Sequence, residues 1–316
     1  MKNYREIKVK RKDFLNLLGD LPPAASLSAE VIERVKEKEF IREKIIYQSG
    51  GEKVFAYLLL PSPFKGPHPA VVAIHQHNLE FHLGKSEVVG LAGDPDMAYG
   101  LELVKEGFVV IAPDLKCFEE RRPSNEEREK NEFFQNGSYE RFVFCKYLLE
   151  GSTLQARYVF DLSRAVDYLE VREEVDSDRI GAIGHSLGGQ ETLFLMLFDE
   201  RVKTGVVSCG TSLWRLIIEK GISHNFAAYL PGMLKIGDSD GFFSLICPRP
   251  LMIIAGEKDP IFPVEGVRRI GERLTRAYRD AGYPEKFQLI IHSKGHCFPS
   301  ELRQTAYRWL KRWLFR

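Results

Sequence analysis

Two hydrophobic periodicities alternate along the chain. Six short apolar runs, Ala70–Ile74 (AVVAI), Phe108–Ala112 (FVVIA), Arg179–Ile183 (RIGAI), Thr204–Ser208 (TGVVS), Leu251–Ala255 (LMIIA) and Phe287–Ile291 (FQLII), have the length and branched-residue content of buried parallel strands. Glu43–Ser49 and Val54–Leu60, rich in Ile, Val, Tyr and Leu, predict two more strands upstream. Between the later runs, apolar residues recur at helical spacing. Val159, Leu162, Val166 and Leu169 form one stripe; Val264, Val267, Ile270 and Leu274 form another, stopped by Gly282 and Pro284. Leu302, Ala306, Trp309, Leu310 and Trp313 predict a final helix. Strands alternating with helices imply an α/β fold, a mostly parallel central sheet flanked by helices.

Three stretches break this rhythm. Residues 1–40 are charged and read as a helical N-terminal extension, interrupted by Leu21-Pro22-Pro23, before a catalytic domain over 41–316. Residues of about 116–150 are charge-dense but carry Phe118, Phe133, Phe134, Tyr139, Phe142 and Phe144; those of about 210–245 carry Trp214, His224, Phe226, Tyr229, Phe242 and Phe243. Both follow strand ends, where α/β folds place their sites. They are expected to be insertions over the site, with Phe133, Phe134, Trp214, Phe226 and Tyr229 packed toward it.

Composition excludes more than it selects. With 45 Lys+Arg against 44 Asp+Glu, the net charge of +1 offers no footprint for nucleic acid. No run approaches the ~20 apolar residues of a membrane span, and the N-terminus has no apolar signal core. The five cysteines (117, 145, 209, 247 and 297) are scattered, with no CxxC, which points to reduced thiols and a cytoplasmic location.

The chemistry is concentrated in Gly184-His185-Ser186-Leu187-Gly188-Gly189. A G-x-S-x-G between a strand and a helical pattern is a nucleophile elbow: a turn too sharp for side chains at the glycines, with the serine at a helix N-terminus. A serine hydroxyl needs a base, and the base needs an orienting acid, in the chain order Ser, Asp or Glu, His. Asp259 follows the strand Leu251–Ala255 and His296 follows Phe287–Ile291. Glu257 and His292 compete, but both lie nearer their strands, and Asp259 and His296 are preferred. The loop His75-Gln76-His77-Asn78 after the AVVAI strand is placed to supply one oxyanion N–H, with Leu187 N–H as the other; His77 is the expected second donor and Gln76 its competitor. Gln76, His185 and His224 are candidate substrate contacts. Asp114 is expected to anchor a loop through Arg121 or Arg122, and Cys297 to be a packed thiol.

His75 and His77, with His82 nearby, would also suit a metal site, but that reading needs a barrel and leaves the elbow unexplained. No metal and no organic cofactor is expected.

On GHSLGG (184–189), PRPLMIIAGEKDPIFP (248–263) and KGHCF (294–298), the chain from about Arg42 onward resembles the α/β-hydrolase superfamily, in particular its dienelactone-hydrolase and acetyl-xylan-esterase-like branch. The resemblance implies a triad of Ser186, Asp259 and His296 and a serine carboxylesterase acting on small esters, acetyl esters of sugars among them; the aromatic residues of the insertions, packed over the site, add the expectation of short acyl groups. A small serine peptidase or amidase on the same triad is the alternative. Dienelactone hydrolases proper use a cysteine where this chain has Ser186, and many relatives have His-Gly where this chain has His-Gln-His-Asn.

Overall fold

All eight strands expected from the sequence are present in the structure, a computed structural model that describes residues 9–64 and 66–315. Among the described residues one sheet holds nine strands: β1 Glu30–Lys36, β2 Phe40–Ser49, β3 Glu52–Pro61, β4 His68–Ile74, β5 Val109–Pro113, β6 Val175–His185, β7 Val202–Ser208, β8 Leu251–Gly256 and β9 Phe287–His292. Their order is β1-β2-β3-β5-β4-β6-β7-β8-β9. The first four in that order pair antiparallel, and from β5 to β9 every pairing is parallel. β5 and β8 are buried at every position, which is why their sequences show no alternation. Neighbouring residues feed opposite faces: Val72 and Ile253 pack under one set of helices, Val71 and Ile254 under the other.

The three expected helices span Leu154–Glu170, Val264–Asp280 and Ser300–Leu314. In the second, Val267, Ile270, Leu274 and Tyr278 face the sheet, as the i, i+3, i+4 spacing requires. The elbow helix, Leu187–Phe198, is instead buried all round.

The expected helical extension over 1–40 is corrected. Residues 1–8 lie outside the described residues. Among the described residues up to 40, only Arg11–Leu18 is helical, and Glu30–Lys36 is the edge strand β1. Its Glu, Arg and Lys residues are good helix formers, but pairing with β2, reinforced by Arg34–Glu43 at 3.1 Å, overrides local preference. The insertions follow β5 and β7 as expected. The first contains the helices Asn125–Lys130 and Asn136–Leu149; the second contains Trp214–Glu219, Met233–Ile236 and Ser239–Phe243.

Beneath the elbow lies a carboxyl group the sequence did not single out. Glu191 is fully buried, hydrogen-bonded by the side-chain amides of Gln155 and Gln190, with no cation paired to it among the described residues. Burial pushes its pKa up to about 8, against a smaller opposing effect of the two amides. The folded protein therefore keeps a proton on Glu191 where an unfolded chain has released it. Stability should fall as pH rises from the ordinary carboxylate range to about 8, and then level off. Glu191→Gln removes that decline. Its melting curves against pH should separate from wild type by on the order of 4 kcal/mol above pH 8. Parallel curves would mean that Glu191 is not protonated in the fold.

Candidate active site

Ser186 stands between β6 and the elbow helix at φ 54°, ψ −118°, a left-handed backbone conformation that costs a non-glycine residue on the order of 1–3 kcal/mol. The surroundings hold it there. Ser186 N–H donates to Ser208 O at 2.8 Å, and Gln190 N–H donates back to Ser186 O at 3.0 Å. The chain doubles back so tightly that a Cβ on Gly184 would lie 2.2 Å from the Gly188 carbonyl carbon. One on Gly188 would lie 1.9 Å from Ile74 O. Glycine is the only residue that fits either position.

β4 and β6 are adjacent, with Ile74 abreast of Gly184, so the loop from His75 runs beside Ser186. In that loop the N–H groups of Gln76 and His77 find no acceptor among the described residues. The elbow helix starts at Leu187, whose N–H is one of the unsatisfied donors of a first turn.

At the ends of β8 and β9, His296 Nδ1 donates to Asp259 Oδ2 at 2.7 Å. Asp259 Oδ1 accepts from the N–H groups of Ile261 and Phe262, both at 3.0 Å. Burial raises the pKa of Asp259, but the His296 bond and the two backbone donors outweigh it and hold the carboxyl below its usual range. With Nδ1 committed to Asp259, His296 presents Nε2 as its free nitrogen. The ring is bracketed by His185, 4.8 Å away, and by Phe262, stacked at 5.9 Å. The rival residues point elsewhere. Glu257 is exposed and pairs with Arg268, while His292 Nδ1 accepts from Lys294 N–H and contacts no carboxylate.

His185 is corrected as a substrate contact. It is buried, bonded through Nδ1 to Ser208 Oγ at 3.0 Å, and forms a wall behind His296; burial lowers its pKa to about 3, so it is neutral. The side chain of Gln76 is turned to Glu87, 3.2 Å from both carboxylate oxygens. His224 Nε2 donates to Ile261 O at 2.8 Å, and its ring packs against Phe262 at 4.5 Å and Trp214 at 5.4 Å. The second insertion therefore reaches His296 through a run of rings, Trp214–His224–Phe262–His296.

The first insertion behaves differently from expectation. Phe133 is exposed, and Phe134 packs on Tyr139 and Phe142 beside a cleft of about 550 Å³ that no residue of the Ser186–Asp259–His296 set lines. Asp114 is likewise anchored by a different partner. It pairs with the fully buried Lys85 at 2.8 Å, whereas Arg121 pairs with Asp161 at 2.6 Å and reaches Asp114 only at its backbone oxygen. Twenty-nine residues separate Lys85 from Asp114, beyond any local pattern.

Both nitrogens of His75 and His77 are engaged. His75 bonds Gln76 O and accepts from Leu115 N–H; His77 accepts from Leu79 N–H and bonds Glu140. Neither ring has a nitrogen free for a cation, and His82 is exposed. Two residues at the site were not singled out in the sequence. Cys209, after β7, brings its sulfur within 4.8 Å of the facing atoms of Asp259 and His296. Glu140 reaches the His77 loop from the first insertion; the signal was the one carboxylate in the helix Asn136–Leu149, which also carries four aromatic residues.

An elbow serine after β6, an acid after β8 and a histidine after β9, all at one edge of a mostly parallel sheet, define the class as an α/β hydrolase. The chain belongs to the dienelactone hydrolase family, whose model matches residues 56–310, and it is accordingly a hydrolase of carboxylic esters. It is 31% identical over 309 residues to a Bacillus subtilis (strain 168) protein named "Putative hydrolase YtaP", covering 96% of this chain and 99% of that one. The fold resembles a glucuronoyl esterase from Solibacter usitatus, with TM-score 0.69, 14% identity, and 95% and 91% of the two chains covered. It also resembles an acetyl xylan esterase from Paenibacillus sp. R4, with TM-score 0.64, 18% identity, and 99% and 96% covered. No helix of the described residues is long and apolar enough to cross a membrane.

Proposed function

We propose that the protein is a serine carboxylesterase that hydrolyses small esters with short acyl groups through an acyl-enzyme. The observation that carries this reading is the 2.7 Å His296–Asp259 bond, which leaves Nε2 of an oriented imidazole as the base for a serine held at a strained elbow. Ser186 Oγ attacks the ester carbonyl as His296 Nε2 takes its proton. Asp259 holds the ring and stabilises the imidazolium. The N–H groups of Leu187 and His77 receive the oxyanion. His296 returns the proton to the departing alcohol, and water then repeats the attack on the acyl-enzyme with the same base.

Acyl length is read from the second insertion and from Phe262 after β8, since Phe133 and Phe134 of the first insertion do not pack toward the site. The rings of Trp214, His224 and Phe262, packed in a run that ends on His296, favour a small acyl group at the site. A series of p-nitrophenyl esters from acetyl to decanoyl, with acetyl p-nitroanilide beside them, tests this. Acetyl to butyryl esters should give the highest kcat/KM, roughly 10-fold or more above decanoyl. A kcat/KM that climbs with chain length would overturn the short-acyl reading, and faster anilide than ester cleavage would make the protein an amidase.

A further inference from the structure

Three separate segments meet at one carboxylate. Glu140, in the first-insertion helix Asn136–Leu149, has a side chain only 3% exposed. Its Oε2 lies 3.1 Å from His77 Nε2 in the loop after β4, and its Oε1 accepts from Phe226 N–H of the second insertion at 3.4 Å. The direction of the His77 bond follows from the other ring nitrogen. Nδ1 accepts from Leu79 N–H at 3.1 Å, so in the neutral ring the proton sits on Nε2 and is donated to Glu140. The His77 ring is otherwise held edge-on between Phe81 and Phe118, at 4.9 and 5.1 Å.

We propose that Glu140 is a positioning residue for catalysis: through the His77 imidazole it fixes the loop backbone so that His77 N–H faces the oxyanion formed at Ser186. This rests on the reading of His77 N–H as an oxyanion donor. The loop needs such an anchor. Asn78 and Leu79, directly after His77, both have positive φ, 41° and 56°. Two adjacent non-glycine residues in that region keep their conformation only where the surroundings enforce it. The Glu140 helix supplies that constraint. Its Gly137, Glu140 and Phe144 lie on one face, toward Phe81, His77 and Phe226, while Tyr139, Phe142, Val143, Lys146 and Tyr147 face the cleft. A helix with partners on two faces needs no amphipathic stripe, which is why its sequence shows none. An apolar side chain would pack on the inner face without the desolvation cost of a carboxylate, so the acid there is accounted for by its two donors rather than by packing.

The test is a double-mutant cycle between Glu140 and His77, with kcat and KM measured on p-nitrophenyl acetate. Glu140→Ala should lower kcat roughly 10- to 100-fold with KM within about twofold, because the donor it places acts on the transition state. Glu140→Gln, whose amide oxygen still accepts from Nε2–H, should recover most of that loss. His77→Phe keeps a ring between Phe81 and Phe118 but has nothing to donate. On that background, Glu140→Ala should cost less than about twofold. Equal costs with and without His77, a Gln variant no better than Ala, or a lower melting temperature with kcat unchanged would each overturn the proposal. Should His77→Phe fail to fold, His77→Ala closes the same cycle. Phosphonate labelling of wild-type Ser186, run in parallel, separates the two levels. Absent labelling overturns the serine mechanism itself, whereas intact labelling with an additive cycle overturns only the role of Glu140.

Discussion

Ser186→Ala is expected to lower kcat by on the order of 10⁴–10⁶ while leaving the fold intact. The structure separates the two effects. Ser186 caps no helix N–H with its side chain, and its turn is held by backbone bonds to Ser208 and Gln190, all of which survive in alanine. Alanine also carries the same positive-φ strain as serine, so the melting temperature should stay within a few degrees. Loss of the hydroxyl leaves His296 with no proton to take, and only the oxyanion donors and substrate binding remain to accelerate attack by water. A serine-directed phosphonate should modify wild type and leave the variant untouched. A folded variant that turns over at more than a few per cent of the wild-type rate would place the nucleophile elsewhere.

Gly188→Ala should be severely disruptive for a single added methyl group. Its Cβ would stand 1.9 Å from Ile74 O, 2.7 Å from Ile74 C and 2.9 Å from His75 O. These are backbone atoms of the buried end of β4 and of the loop proposed to stabilise the oxyanion, and neither can rotate aside as a side chain would. The elbow helix must back away from β4, at a cost on the order of 3 kcal/mol or more. That shift moves Leu187 N–H and the His75–Asn78 loop apart, so folded molecules should also lose at least about 100-fold in kcat. Gly137→Ala is the control. It is also a helical glycine near the site, but the nearest atom to its Cβ is the Phe81 ring at 3.8 Å, so it should be neutral or slightly stabilising. A Gly188→Ala variant that melts and turns over like wild type would mean that the elbow is looser than its geometry implies.

The amino-acid sequence by itself determined the strands from β2 to β9, the elbow, and the preference for Asp259 and His296 over their neighbours. Each of these is a local signal. Apolar runs buried on both faces need no knowledge of the partner strand, a G-x-S-x-G turn is constrained within five residues, and a carboxylate or histidine one loop beyond a strand falls at the site edge of any parallel sheet. What only the tertiary structure decided depends on groups far apart in the chain. β1 reads as helix until β2 lies beside it. Asp114 takes Lys85 rather than the nearby arginines because the loop after β4 folds over β5. His185 becomes a buried wall rather than a contact because His296, arriving from β9, closes over it. Phe134, Tyr139 and Phe142 of the first insertion turn toward a separate cleft while Glu140, on another face of the helix that carries Tyr139 and Phe142, turns to His77. Side-chain direction on an insertion is set by what the insertion lands on, and periodicity along the chain carries no information about that surface.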